Sequence, residues 1–288
     1  MAECQDVVRL NQILDDINFE KDCDVKIAIV GASGRMGLEL VHETIRHEQT
    51  ELVAAIVKPT NSHLGLDVSH FIKSAQTIVK FTSDLEKICP YIDAVIDFTA
   101  ADYSLEVAKI CAQQGKALVI GTSGFTEQQF EKIKQYATEI PIVYSNNMSL
   151  GINILLEWIK QTAEILGEDF DIEISEMHHK HKKDAPSGTA LMLGEAAASG
   201  RAVKLREKAV FSRHGMIGER KTGDIGFAAL RGGSVIGDHS VMFAGMSEII
   251  ELKHHAVTRD IFAKGAIRAA LWIQDQGPGL YSMRDVLF

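Results

Sequence analysis

Val25-Lys26-Ile27-Ala28-Ile29-Val30-Gly31-Ala32-Ser33-Gly34-Arg35-Met36-Gly37 reads as a strand, a glycine turn and the start of a helix. The run before Gly31 is short and β-rich, and Leu38, Leu40, Val41 and Ile45 then recur at helical spacing. A glycine motif between a strand and a helix is a phosphate-binding element. Gly31 lets the chain turn sharply, Gly34 lets a pyrophosphate approach the backbone, and Gly37 lets the helix pack close to the strand. Ala32, Ser33, Arg35 and Met36 complete the loop, and the helix start offers N–H groups and a partial positive charge to phosphates. The G-x-x-G-x-x-G spacing departs from the commoner G-x-G-x-x-G, and a glycine turn without a ligand is the alternative.

The next strand, Leu52-Val53-Ala54-Ala55-Ile56-Val57, bears on the cofactor. An NAD enzyme usually ends this strand in Asp or Glu, ~20 residues past the glycines, to bind the ribose 2′-OH. Here that position is Val57, followed by Lys58. No carboxylate repels a 2′-phosphate and a cation stands ready for one, which favours NADPH, with NADH as the second choice. A solvated strand-end lysine is the alternative.

Further strand–helix units follow: strand 94–99, helix 104–114, strand 117–120, helix 126–137 and strand 142–144. Alternation of this kind implies a parallel sheet with right-handed crossovers, whose ligands bind at the carboxyl ends of the strands. Phe98-Thr99, Gly121-Thr122-Ser123 and Ser145-Asn146-Asn147-Met148 stand at those ends. Small residues and amides there suit a flat nicotinamide and its ribose, or ordinary turns.

After residue 149 the rhythm changes. Helix 150–166 leads into Phe170–Glu176, which alternates with period two, and long strands at 224–230, 234–243 and 248–256 are joined without helices. This predicts an antiparallel or mixed sheet packed by helices on one face, a substrate and oligomerisation unit over 150–259. A final apolar helix at about 259–274 is expected to return to the first unit, 25–149, so that 260–288 belongs with it. The fold class is therefore α/β: a Rossmann-type parallel-sheet domain plus an α+β mixed-sheet domain.

Glu176-Met177-His178-His179-Lys180-His181-Lys182-Lys183-Asp184-Ala185-Pro186-Ser187-Gly188-Thr189-Ala190 concentrates the chemistry. Three histidines and three lysines lie within residues 176–183 of a chain whose net charge is −9. Such crowding is costly unless an anion binds there. Pro186-Ser187-Gly188-Thr189 then starts a helix whose N–H groups suit a carboxylate. Cations followed by a helix start fit a small substrate with two carboxylates, and His and Lys supply acids near neutral pH. The interleaved lysines argue against a metal site.

The net-acidic composition, without a Lys/Arg block, excludes a nucleic-acid partner, and no apolar run reaches the ~18 residues of a membrane span. Cys4, Cys23, Cys89 and Cys111 form no C-x-x-C pair and read as reduced thiols of a cytoplasmic protein. Residues 1–24 carry seven acids and two bases and match neither a secretory signal nor a transit peptide. Val7, Leu10, Leu14 and Ile17 would share one face of a short helix there, an appendage packing on its own subunit or a neighbour.

G-A-S-G-R-M-G at 31–37, D-F-T at 97–99, G-T-S-G-F at 121–125, M-R-D-V-L at 283–287 and above all the block at 176–190 resemble the 4-hydroxy-tetrahydrodipicolinate reductase (dihydrodipicolinate reductase) family over about residues 25–288. The resemblance implies NAD(P)H-dependent reduction in lysine and diaminopimelate synthesis, by a homotetramer built through the second-domain sheets. It implies His178 as proton donor, Lys182 as second catalytic cation, and His179, Gly188 and Thr189 as holders of the substrate carboxylates. Gly31 to Met36, Gly121 to Ser123 and Ser145 to Met148 match the cofactor segments. Many members carry an acid and then an arginine where this chain has Val57 and Lys58, and the N-terminal extension lies outside the family pattern. A sugar or amino-acid dehydrogenase would explain the glycines but not the basic block; a non-catalytic NADPH sensor would not need His178 and Lys182.

Overall fold

The first buried strand, β1 (Val25–Val30), has Ile27, Ala28, Ile29 and Val30 wholly excluded from solvent. A strand apolar on both faces belongs inside a parallel sheet covered by helices on both sides. The computed structural model describes residues 25–72 and 77–288 and shows that arrangement; the acidic N-terminal extension, with Cys4 and Cys23, lies outside the described residues. With β2 (Thr50–Ile56), β3 (Phe81–Thr82), β4 (Ala94–Asp97), β5 (Ala117–Ile120), β6 (Pro141–Tyr144) and β12 (Gly279–Tyr281), it forms a seven-stranded sheet in the order 12-6-5-4-1-2-3. Every pairing in it is parallel. The central order 3-2-1-4-5-6 is the doubly wound dinucleotide-binding topology, with the strand order reversing between β1 and β4.

One face is covered by α1 (Arg35–Arg46) and the other by α2 (Leu85–Ile88), α3 (Ala101–Gln114) and α4 (Glu127–Tyr136). A capping box, Thr126 with Gln129, starts α4. The expected helix over 104–114 begins three residues earlier, at Ala101.

The linking helix α5 (Leu150–Leu166), capped by Ser149, leads to the second sheet. This contains β7 (Asp171–His178), β8 (Ala209–Val210), β9 (Ile225–Arg231), β10 (Asp238–Ala244) and β11 (Ile249–His255) in the order 11-10-7-9-8. It is mixed, as expected: β7 runs parallel to β9 and antiparallel to β10. The strand expected over 234–243 starts only at Asp238, which leaves Ser234 in a loop. Helices α5 and α6 (Gly188–Gly200) pack on one face, where Ile172, Ile174, Leu193, Ala197, Val241 and Phe243 form the core. The short α7 (Leu205–Lys208) precedes β8. The chain then crosses back: Ala263, Ala266, Ile267 and Ala270 of α8 (Asp260–Trp272) are buried in one core with Ile27 and Ile29, and α9 (Met283–Leu287) closes it with Met283 and Val286. Among the described residues no helix is long and apolar enough to cross a membrane.

The glycine turn is held by sterics. Gly31 has φ +77°, a left-handed conformation that side chains disfavour. A Cβ on Gly37 would lie 2.1 Å from the Gly31 carbonyl oxygen, so α1 sits on the turn as closely as backbone allows. Gly37→Ala is therefore expected to lose ~1–3 kcal/mol or more through overpacking. Chemical denaturation measures this, and a variant as stable as the parent would contradict the packing.

Candidate active site

The carboxyl ends of β1, β4, β5 and β6 converge beside the glycine turn. Gly34 is exposed, and α1 begins without a side-chain cap or an acid in its first turn, so its N-terminal face is open to an anion. Ser33 Oγ accepts a hydrogen bond from Asn61 Nδ2 at 3.0 Å, which ties the loop after β2 to the turn. Lys58 is exposed beyond β2, while Val57 is buried. This cradle, narrow where a Cβ would intrude and open at the helix start, fits a dinucleotide pyrophosphate. Of the other cofactor candidates, Ser123 and Asn146 are exposed, whereas Ala32, Thr122, Ser145 and Met148 are buried. Of these, Ser145 Oγ donates to the Asn147 carbonyl at 2.7 Å.

Asp97, at the end of β4, organises this rim, a role its place in a buried-type strand did not reveal. It is completely buried and accepts from Thr99 Oγ1 at 2.6 Å, from Thr122 Oγ1 at 3.5 Å and from Ser104 Oγ. Thr122 Oγ1 in turn accepts from the Thr99 N–H at 2.8 Å. Burial pushes the Asp97 carboxyl up to about 6 against the pull of these hydroxyls.

In the second sheet, β7 alternates and buries Ile172, Ile174, Glu176 and His178 on one face. Its last two core positions are thus ionisable. Glu176 is 2% exposed and its oxygens are saturated. Oε2 meets His178 Nδ1 at 2.6 Å and Arg231 Nη1 at 2.8 Å; Oε1 accepts from Arg231 Nη2 at 2.8 Å and from the Ser187 N–H at 3.1 Å. Burial opposes ionisation of Glu176, but Arg231 and His178 outweigh it and hold the carboxyl below its ordinary range. Parallel register places Arg231 beside His178, and antiparallel register sets His239 opposite Glu176. The His178 and His239 rings meet edge-on at 5.1 Å. Burial, followed by the neighbouring His178, pushes His239 down to about 4, and its Nε2 lies 3.1 Å from Ser187 Oγ, the cap of α6. Arg231 and His239 carry no signal in the local sequence; only strand register brings them here.

The rest of the basic block faces elsewhere. His179, Lys180 and His181 line a cleft of about 760 Å³ together with Arg35 of the glycine turn, Gly233, Ser234 and Arg259. The cleft therefore joins the two sheets. His179 Nδ1 is buried with no partner among the described residues, and desolvation with nearby cations, Arg259 first, lowers its affinity for a proton. Lys182 does not line this cleft; its Nζ lies 3.0 Å from Asp184 Oδ1. Thr189, at the start of α6, is joined to the end of β6 by Asn147 Nδ2 at 3.1 Å from its Oγ1, while Gly188 is exposed. Lys58 is not among the residues that line this cleft.

A doubly wound sheet with an open glycine cradle, joined through a cationic cleft to a mixed sheet bearing a His–carboxylate pair, has the layout of a two-domain dinucleotide-dependent oxidoreductase. Family models agree: residues 25–148 match "Dihydrodipicolinate reductase, N-terminus" and residues 151–287 match its "C-terminus". The chain belongs to the dihydrodipicolinate reductase family. It is 50% identical over 262 residues to the 4-hydroxy-tetrahydrodipicolinate reductase of Brucella abortus, covering 91% of this chain and 98% of that protein. It is 49% identical over 264 residues to that of Bartonella bacilliformis, with coverage of 91% and 98%. Among solved structures, the dipicolinate-bound dihydrodipicolinate reductase of Paenisporosarcina sp. TG-14 superposes with a TM-score of 0.72 at 26% identity, covering 90% of this chain and 97% of that one.

The two buried titrations have opposite signs. Unfolded Asp97 releases its proton near 3.8 and folded Asp97 near 6, so its contribution is greatest at low pH and is lost as pH rises through that window. Unfolded His239 protonates near 6.5 and folded His239 near 4, so its contribution is intact above 6.5 and is lost as pH falls. Relative to the parent, Asp97→Asn should gain stability from pH 4 to 6, and His239→Gln from pH 6.5 down to 4, each by up to ~3 kcal/mol. Denaturation curves across that range test this, and differences that do not vary with pH would contradict it.

Proposed function

We propose that this chain reduces 4-hydroxy-tetrahydrodipicolinate to tetrahydrodipicolinate with NADPH in preference to NADH. The observation that carries the reading is the His178–Glu176 pair beside the cationic cleft that reaches Arg35 of the glycine turn. Family membership supports the NAD(P)H-dependent activity and the place in lysine and diaminopimelate synthesis. Replacing the substrate hydroxyl by hydrogen consumes a hydride and a proton and releases water. The nicotinamide supplies the hydride when bound.

The chain's own residues supply the rest. Gly31 to Met36, Gly121 to Ser123 and Ser145 to Met148 hold the dinucleotide, with Lys58 on the 2′-phosphate. His179, Lys182 and the Gly188-Thr189 start of α6 hold the two carboxylates. His178 donates the proton, and Lys182 stabilises the negative charge that develops on the ring. In this reading residues 25–149 and 260–288 form the dinucleotide unit, and 150–259 the substrate unit. Exposed Leu230, Ile249 and Ile250 on β9 and β11 support assembly through the second sheet into a homotetramer. Cys89 and Cys111, buried free thiols, fit a cytoplasmic setting.

Substrate generated by coupling pyruvate to aspartate semialdehyde through the preceding synthase, with NADPH oxidation as readout, tests the activity. His178→Gln should lower kcat by about 10²-fold or more with little change in NADPH affinity. Lys182→Ala should lower kcat and raise the substrate KM. An unchanged kcat in the first variant, or an effect on NADPH affinity alone in the second, would remove these assignments.

Cofactor preference is tested separately. A lysine–phosphate contact of ~1–2 kcal/mol is worth on the order of ten-fold in affinity. NADPH should therefore exceed NADH by about ten-fold in kcat/KM, and Lys58→Ala should shrink that ratio. Equal efficiencies in the parent would make Lys58 a solvated strand end.

A further inference from the structure

The proton donor proposed above does not stand alone. Ionised Glu176 can only accept, and it is kept ionised by the two-pronged contact from Arg231. The His178 Nδ1 that meets its Oε2 at 2.6 Å must therefore carry the hydrogen in that contact. The transferable proton is then the one on Nε2, the atom that lies beside Gly237, where a Cβ would come within 3.0 Å of it. The other Glu176 oxygen holds the Ser187 N–H at 3.1 Å, one residue before Gly188. Arg231 Nη2 also donates to the Asp184 carbonyl at 2.6 Å, so the same cation pins the turn that precedes α6. One carboxylate thus reaches both ends of the reaction.

We propose that Glu176 is a positioning residue for this reaction: it fixes His178 in the Nδ1–H form and, with Arg231, locks that imidazole to the start of α6, so that the acid and the carboxylate-binding backbone form one rigid unit. The inference rests on His178 being the proton donor. The substrate hydroxyl departs with a hydrogen of the neighbouring ring carbon as water; hydride then adds at the carbon that bore the hydroxyl, the Nε2–H bond breaks and its proton passes to that neighbouring carbon. The imidazolium becomes a neutral imidazole that still donates from Nδ1 to Glu176, and solvent restores the Nε2 proton in the next cycle. The charged and titratable groups facing His178 are Glu176 on its own strand, Arg231 at the end of β9, His239 on β10 and His179 next in the chain. His239, deprived of solvent, stays neutral and adds no competing charge.

The pH profiles of kcat and kcat/KM for the full-length parent, Glu176→Gln, Arg231→Gln and His178→Gln decide the matter. Glu176→Gln should lower kcat by about 10²-fold at neutral pH and move the alkaline limb of kcat/KM to lower pH by about one unit or more, because a charge within hydrogen-bond distance is removed. Arg231→Gln should move the same limb to higher pH and raise the substrate KM several-fold with a smaller change in kcat, since the turn at Asp184–Ser187 loses its anchor. The opposite directions separate electrostatic positioning from general damage, and Arg231→Gln keeps the test alive should Glu176→Gln fail to fold. Variants that lose activity by one factor at every pH, with the limb where the parent has it, would overturn the proposal and leave Glu176 a structural residue. An alkaline limb that survives in His178→Gln would instead overturn the donor assignment on which it rests.

Discussion

A carboxylate buried without partners costs several kcal/mol, and removing one member of a buried ion pair is strongly destabilising. Glu176, on the core face of β7, meets that constraint by drawing four donors from three places: the strand's own His178, both Nη nitrogens of Arg231 from β9, and the backbone before α6. The convergence of those elements at one end of the second sheet follows from it. The apolar positions Ile172 and Ile174 anchor the strand in the core, and the same alternation delivers Glu176 and His178 to the edge of that core. A pattern that makes a strand thus also makes a histidine with a fixed carboxylate partner.

The first sheet solves a different problem with the same economy. Its rim at β4 and β5 is held by Asp97, whose fully buried carboxylate gathers three hydroxyls. Close backbone approach at Gly37 and Gly31 brings α1 onto the turn and leaves its N-terminal N–H groups facing outward. The cleft between the sheets then receives Arg35 from one side and His179 to His181 from the other. An anion bound there would touch both units.

Much of this was legible in the chain. The strand–turn–helix at 25–46 and the alternation of strands and helices set the doubly wound sheet, and the period-two run before His178 set the strand that carries it. The block at 176–190 stood out by the improbability of so many cations in an acidic protein, and three of its residues line the cleft between the sheets. What stayed hidden depends on strand register and distant loops. Arg231 lies 55 residues from the carboxylate it clamps, and His239 faces Glu176 only because β10 runs antiparallel to β7. Ser234, expected in a strand, lines the cleft because pairing starts at Asp238. Lys182, a catalytic cation by resemblance, has Asp184 beside it at 3.0 Å.

The most direct test of the account follows an isotope. With NADPH deuterated at nicotinamide C4 and substrate made in situ in ordinary water, the account predicts a product one deuterium heavier at the carbon that loses its hydroxyl, formed in step with cofactor oxidation. Oxidation of the cofactor without deuterium in the product would contradict it.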